Sequence, residues 1–349
     1  MVLAEYVWLD GCKPTQKLRS KIKVIENVQN LIDIHAWGFD GSSTEQSEGS
    51  DSDLVLIPVR YIKNPLEHNS IIVLCEVMKS NMTTPHSSNF RASLRDVINK
   101  GGNELDSLWG FEQEYVLIDN NTNRICGWPK KGYPESQGQY YCGNGVENVA
   151  QREISIEHLY SCLDANLLIY GTNAEVMLGQ WEFQVGHRNI SSDSRNNLKA
   201  DPLMASDHLW LARLLLTRIA ENHNVSVDFS PKPILGNWNG SGMHTNFSTS
   251  LTRNKKNGLN NIRKICVKLK KSHTEHMSQY GAGNDNRLTG LHETCKYTEF
   301  KSGVNNRGAS IRIPNHVALA GYGYLEDRRP AANADPYIVA TRILKTLLK

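Results

Sequence analysis

Glu112 and Glu114 stand one residue apart in "FEQEY" (111–115), inside an apolar run that reads as a strand. On a strand, residues i and i+2 share a face, which sets the two carboxylates roughly 7 Å apart. Such a pair repels itself, and burying either group is unfavourable unless it is paired or metal-bound. A second stretch, "GTNAEVMLGQWEFQVG" (171–186), reads as two strands joined at Leu178–Gly179. That loop pairs Met177 with Gln180 and sets Glu175 directly opposite Glu182, where like charges destabilise a ladder. A solvated strand face with arginine partners is one reading of these four glutamates. The other is a divalent cation, and hard oxygen ligands suit Mg²⁺ or Mn²⁺. The spacings fit neither an EF-hand nor a Cys/His zinc site.

His244 lies in "GNWNGSGMHTNFS" (236–248). At period two, Trp238, Gly240, Gly242, His244, Asn246 and Ser248 share a face, and the glycines allow close approach to the backbone. His244 is a candidate ligand or a structural histidine. "NRLTGLHET" (286–294), "NRGASIRIP" (306–314) and "EDRRP" (326–330) supply Arg287, Arg307, Arg312, Arg328 and Arg329. They could form surface salt bridges. Together they fit a site for carboxylates and phosphates, which guanidinium forks bind. P-loop, G-x-G-x-x-G and G-x-S-x-G motifs are absent from the sequence. A carboxylate-bound metal beside arginines points to phosphoryl chemistry.

These side chains need strands to hold them. "EYVWLD", "LVLIPVRYI" and "SIIVLCEVM" make the first 80 or so residues β-rich, with a long polar loop at 37–53. A helix within 81–102 stops at Gly101, and a domain boundary is expected near residue 85, giving domains 1–84 and 85–349. Further helices are expected at 154–167, at 207–224 with Asp207 near its start, and at 257–281. Residues 188–202 read as a polar surface loop.

The chain has 349 residues, enough for two domains, and a net charge of +3. Without a long basic block there is no electrostatic case for nucleic acid or an acidic membrane. The N-terminus lacks signal-peptide architecture, and no apolar run reaches membrane-spanning length. Seven cysteines without a C-x-x-C pair suggest reduced thiols and a cytoplasmic location.

Taken together, "WGFDGSSTEQSEGSDSD", "FEQEY", "GTNAEVMLGQWEFQVG", "PKPILGNWNGSGMHTNFST", "RLTGLHET", "NRGASIRIP" and "GYGYLEDRRP" resemble, in order, glutamine synthetase of the eukaryotic type (type II). The resemblance implies an α+β chain: an N-terminal β-grasp domain, then a catalytic domain with an antiparallel sheet and flanking helices. It implies ligation of ammonia to L-glutamate with ATP, through γ-glutamyl phosphate, using two to three Mg²⁺ or Mn²⁺ per site. Active sites would lie between subunits of a homo-oligomer, a decamer of two pentameric rings.

By matching motif, Glu114, Glu175 and Glu182 would hold one metal, and Glu112, His244 and Glu326 the metal bridging ATP phosphates. Asn237, Trp238, Gly240, Arg287, Arg307 and Arg328 would bind glutamate. Glu112, Glu182, Asn246, Phe247, Ser248, Arg307, Arg312 and Tyr324 would meet ATP. Asp40 would deprotonate ammonium in the adjacent subunit, Arg307 would assist the transfer, and Glu293 would sit on a shielding flap. The chain departs from the family's pattern at Leu178 and His187, where proline is usual, and in a longer loop at 188–204 near the expected nucleotide site. A γ-glutamyl ligase using another amine, or a ring protein without activity, are the rival readings.

Overall fold

The structure is a computed structural model and describes residues 1–187 and 198–349. The first sheet contains β1 (Val2–Leu9), β2 (Leu18–Ile25), β3 (Trp37–Asp40), β4 (Asp53–Lys63) and β5 (Ser70–Lys79). Its order is β2-β1-β5-β4-β3, with β1 and β5 parallel and the other pairs antiparallel. Alternation assigns the faces. Ala4, Tyr6, Trp8, Val73, Cys75 and Val77 close a small core on one side. Val7, Ile72 and Leu74 point the other way and join the main core of the chain. Polar side chains on that second face are paired across to later elements. Arg218 donates to Glu5 at 2.8 Å, Arg91 to Glu76 at 2.7 Å, and Arg60 to Asp207 at 3.0 Å.

After α1 (Phe90–Asn99), capped by Asn89 accepting from the Ala92 N–H, the second sheet begins. It is built from β6 (Leu108–Asp119), β7 (Arg124–Ile125), β8 (Ile169–Ala174), β9 (Gln180–Val185), β10 (Val225–Asp228), β11 (Met243–Ser248), β12 (Ser302–Val304), β13 (Ile311–Ile313) and β14 (Leu325–Asp327). Among the described residues its main path runs β12-β13-β14-β11-β6-β9-β8, with β7 and β10 also paired to β6. The other elements are α2 (Arg152–Asp164), α3 (Pro202–Asn222), α4 (Gly258–Lys271), α5 (His273–Met277), α6 (Asn315–Ala320) and α7 (Pro336–Leu348). One face of the sheet buries Phe111, Tyr115, Phe183 and Val185 with Leu209, Ala212 and Leu216 of α3. The opposite face carries the acidic residues.

Several expectations need correction. The 37–53 stretch is not wholly loop, because β3 pairs antiparallel with β4 at its start. The edge pair β12–β13 is parallel, so the larger sheet is not uniformly antiparallel. The 257–281 segment splits at Ser272, since His276 turns inward to lie 2.6 Å from the Tyr280 hydroxyl and 2.8 Å from Thr346. Asp207 is not near a helix start. α3 begins at Pro202 with Asp201 as its cap, and Asp207 is a fully buried ion-pair partner. The loop expected at 188–204 lies in large part outside the described residues. No described helix is long and apolar enough to cross a membrane, and all seven cysteines are free.

Candidate active site

Strand register assembles the acidic cluster. β6 lies between β11 and β9, so Glu112 pairs with His244 on one side and Glu114 with Glu182 on the other. One strand further out, Glu326 of β14 sits opposite both Asn246 and Arg312. Period two then turns Glu112, Glu114, Glu182, His244 and Glu326 to one face.

The hairpin corrects the expected pairing of Glu175. Ala174 pairs with Trp181 and Asn173 with Glu182, a register two residues from the expected one. Glu175 therefore lies beside Gln180, whose carbonyl accepts from its N–H at 2.9 Å. A shift of two keeps every side chain on its face, so Glu175 still reaches the cluster. The like-charge neighbour directly across from Glu182 is Glu114.

Two groups of donor atoms each lie within 4.8 Å of one another: Glu114, Glu175 and Glu182, and Glu112, Glu182 and His244. Glu182 belongs to both. Burial, then the charges of Glu112, Glu175 and Glu114, push its carboxyl well above the usual range. Burial and Glu114 push Glu175 up to about 8, and burial raises Glu114 although Arg287 opposes it. Burial, and next Arg328, holds His244 well below its ordinary value, in the neutral form that ligates metals. Carboxyl groups whose ionisation is opposed by burial and by one another, beside a neutral imidazole, form a donor set whose repulsion a hard divalent cation would relieve.

The arginines close the other side. Arg312 and Arg328 donate to Glu326 at 2.7 and 2.6 Å, while the Nε of each is buried without a partner among the described residues. Glu326 thus meets arginines first and lies 3.5 Å from His244 Nδ1. Arg287 is buried, with Nη2 3.2 Å from His244 Nε2 and donating to the Arg328 carbonyl. Arg307 and Glu293 line the same cavity, of about 570 Å³, with the four glutamates, Gly240 and His244. Glu293 and its neighbour His292 both adopt positive φ, 57° and 52°, at the tip of a hairpin bridged by Thr289 and Lys296.

Other expected residues fall outside that lining. Asp40 is exposed on the first sheet, and hydrogen bonds from Ser42 and Ser43 lower its pKa to about 2. Trp238 packs 4.9 Å from the Trp128 ring, and Asn237 donates to Ser136. The Phe247 ring is buried against Trp109. Asn246 donates to Glu112 at 2.8 Å, Ser248 accepts from Arg253, and Tyr324 is half-buried near His316. Arg329 belongs to the scaffold, paired with Asp327 at 2.7 Å. Residue patterns missed Tyr141, Tyr170, Asn173 and Gln184, which also line the cavity. Gln184 donates to Glu182 and Asn173, and Asn173 to Glu175. Their spacing of two from Glu182 and Glu175 was the available signal.

A model of the glutamine synthetase catalytic domain matches residues 89–283, and one of the glutamine synthetase beta-Grasp domain matches residues 2–80. This chain belongs to the glutamine synthetase family. It is 46% identical to the chloroplastic glutamine synthetase of Chlamydomonas reinhardtii, covering 99% of this chain and 90% of that one. It is 47% identical to glutamine synthetase of Streptomyces viridochromogenes, over 98% and 95% of the two chains. The Saccharomyces cerevisiae enzyme is 44% identical, over 99% and 89%. The fold resembles a cryo-EM structure of Plasmodium falciparum glutamine synthetase, with TM-score 0.78 at 16% identity, covering 99% of this chain and 71% of that one. A glutamine synthetase of this family has the expected α+β fold, a β-grasp domain followed by the catalytic domain.

Proposed function

We propose that the protein is a glutamate–ammonia ligase of the eukaryotic type, converting L-glutamate, ammonium and ATP into L-glutamine, ADP and phosphate. The observation that carries this reading is Glu182, shared by two adjoining donor groups beside a wall of arginines. Glu114, Glu175 and Glu182 would hold one cation, and Glu112, Glu182, His244 and Glu326 the neighbouring one. Bound there, Mg²⁺ or Mn²⁺, two to three ions per site, would neutralise phosphate charge.

Arg287, Arg307 and Arg328, with Asn237, Gly240 and the backbone at Trp238, would orient the glutamate. Asn246 to Ser248, Arg312 and Tyr324 would seat the nucleotide, and Arg307 would stabilise the negative charge on the phosphoryl group during transfer. The glutamate γ-carboxylate would attack the γ-phosphorus of ATP and displace ADP, giving γ-glutamyl phosphate, from which ammonia would then displace phosphate. Glu293 would shield that acyl phosphate from water. Asp40, ionised at neutral pH, would reach a neighbouring subunit and take the proton that ammonium must lose. This assigns residues 1–84 to the β-grasp domain and 85–349 to the catalytic domain, in a cytoplasmic decamer of two pentameric rings.

Phosphate release should require glutamate, ammonium, ATP and Mg²⁺ together. Full release without ammonium, or a preference for another amine, would sink this reading. Gly242→Ala is a sharper probe. A methyl there overlaps Nη2 of Arg287, so the guanidinium must shift from its place beside the cavity. Such overpacking costs roughly 1–3 kcal/mol. The KM for glutamate should rise by about tenfold or more in a variant that still folds.

A further inference from the structure

Arg213 of α3 is 3% exposed, yet among the described residues every acceptor of its hydrogen bonds is neutral. Its Nε donates to Gln113 Oε1 at 2.9 Å. Its Nη2 donates to the same oxygen, to the Ala332 carbonyl at 2.9 Å, to the Ala334 carbonyl at 3.0 Å and to Met243 Sδ at 3.3 Å. The guanidinium stacks 4.7 Å from Trp210 and 5.4 Å from Phe229. Burial lowers its pKa to about 10, with the charge of Asp335 acting in the opposite direction. A leucine or methionine would fill the same volume but leave the Gln113 oxygen, two buried carbonyls and the Asp335 carboxyl without this cation. Packing alone therefore does not account for the arginine.

What it holds does. Gln113 is the middle residue of "FEQEY", fully buried on the face of β6 opposite Glu112 and Glu114. Its Nε2 donates to the Glu114 carbonyl at 2.8 Å and to the Ala332 carbonyl at 3.1 Å. Ala332 donates in turn to the Ser241 carbonyl at 3.0 Å, and Met243 to the Pro330 carbonyl at 3.0 Å. Gly242, between Ser241 and Met243, donates its N–H to the Glu114 carboxylate at 2.6 Å. One guanidinium thus ties β6 to the segments that lead into Arg328 and His244. Its planar fork bridges four acceptors at once, which a lysine ammonium on a flexible stem cannot reproduce.

We infer that Arg213, acting through Gln113 and Ala332, is a positioning residue that sets the height of Glu112 and Glu114 beneath the bound cations. The inference rests on the metal reading proposed above. The test titrates Mn²⁺ into the intact oligomer by electron paramagnetic resonance, well below the melting temperature, and then measures kcat and KM. Arg213→Met and Gln113→Leu should each weaken Mn²⁺ binding and lower kcat by roughly 10–100-fold, as loss of outer-shell partners does. The double variant should be no worse than either single one, because both act through one network. Arg213→Lys, the change most certain to fold, should recover part of the loss. Arg60→Met serves as the structural control: it should lower the melting temperature and leave Mn²⁺ affinity unchanged.

Wild-type affinity in both Arg213 variants would overturn the inference alone. So would an equal loss in Arg60→Met, which would make the effect one of general stability. A wild-type protein that binds no Mn²⁺ would overturn the metal reading and this inference with it.

Discussion

Glu182→Gln should abolish the metal-dependent thermal shift and lower activity by more than about 100-fold, while making the metal-free protein more stable. The activity loss exceeds that of an outer-shell partner because the residue belongs to both donor groups. The gain in stability follows from the same geometry. Glu182 is buried among Glu112, Glu175 and Glu114, and its carboxyl is held well above the usual range. A carboxyl raised in the folded state is ionised more readily in the unfolded one, so the unfolded state binds fewer protons. Folding is then penalised as pH rises above the unfolded value of about 4.3.

Relative to Glu182→Gln, the metal-free wild-type protein should therefore lose stability between roughly pH 5 and pH 8. The upper end of that window matches Glu175, pushed up to about 8. The glutamine variant removes one titrating group and weakens the repulsion on the rest, so its curve should be flatter. Saturating Mg²⁺ should reverse the ranking. Ligand at one hundred times Kd stabilises the native state by about 2.7 kcal/mol, and only the wild type can collect it. Differential scanning fluorimetry at two pH values, with and without Mg²⁺, checks all of this. A variant less stable than wild type without metal would contradict the repulsion argument.

The strand that carries Glu112 and Glu114, and the face they share, were legible because a period of two is a local signal. The hairpin at 171–186 was legible in kind but not in register. Leu178–Gly179 reads as a two-residue loop, but Leu178 is 6% exposed, and its carbonyl accepts from the Trp128 indole. Gly179, at φ 85°, packs where a Cβ would strike the Cys126 carbonyl. These are long-range contacts that turn chemistry alone does not encode.

The same limit explains α3. "DP" at 201–202 carries the cap and first-turn proline of a helix start, but it sits at the end of a polar run that reads as loop. Glu326 shows the converse. Its motif matched, while its ion pair with Arg312 depends on a β13–β14 register that only the assembled sheet defines.

Asp207→Ala should be the most destabilising single change outside the site, lowering stability by about 3–5 kcal/mol and leaving Mn²⁺ affinity intact. Asp207 is fully buried within α3 and accepts from four donor groups. Arg91 contributes Nε at 2.8 Å and Nη2 at 3.0 Å, Arg60 Nε at 3.0 Å, and Tyr337 its hydroxyl at 2.7 Å. Burial pushes the carboxyl up, but Arg91 and Arg60 outweigh it, so it titrates below its ordinary value.

The sign is opposite to that of Glu182. This carboxylate stabilises the fold above the unfolded pKa of about 3.9, and its contribution is lost as pH falls through the lower folded value. Removing it leaves Arg91 buried with only Glu76 and strands the Tyr337 hydroxyl. Because Arg60 belongs to the first sheet and Arg91 to α1, the lesion also loosens the first sheet from α3. Urea unfolding of Asp207→Ala, Arg91→Met and the double variant checks this. The double variant should be no less stable than Asp207→Ala, since the stranded cation is then gone. Simple additivity would mean that the two side chains stabilise the fold independently.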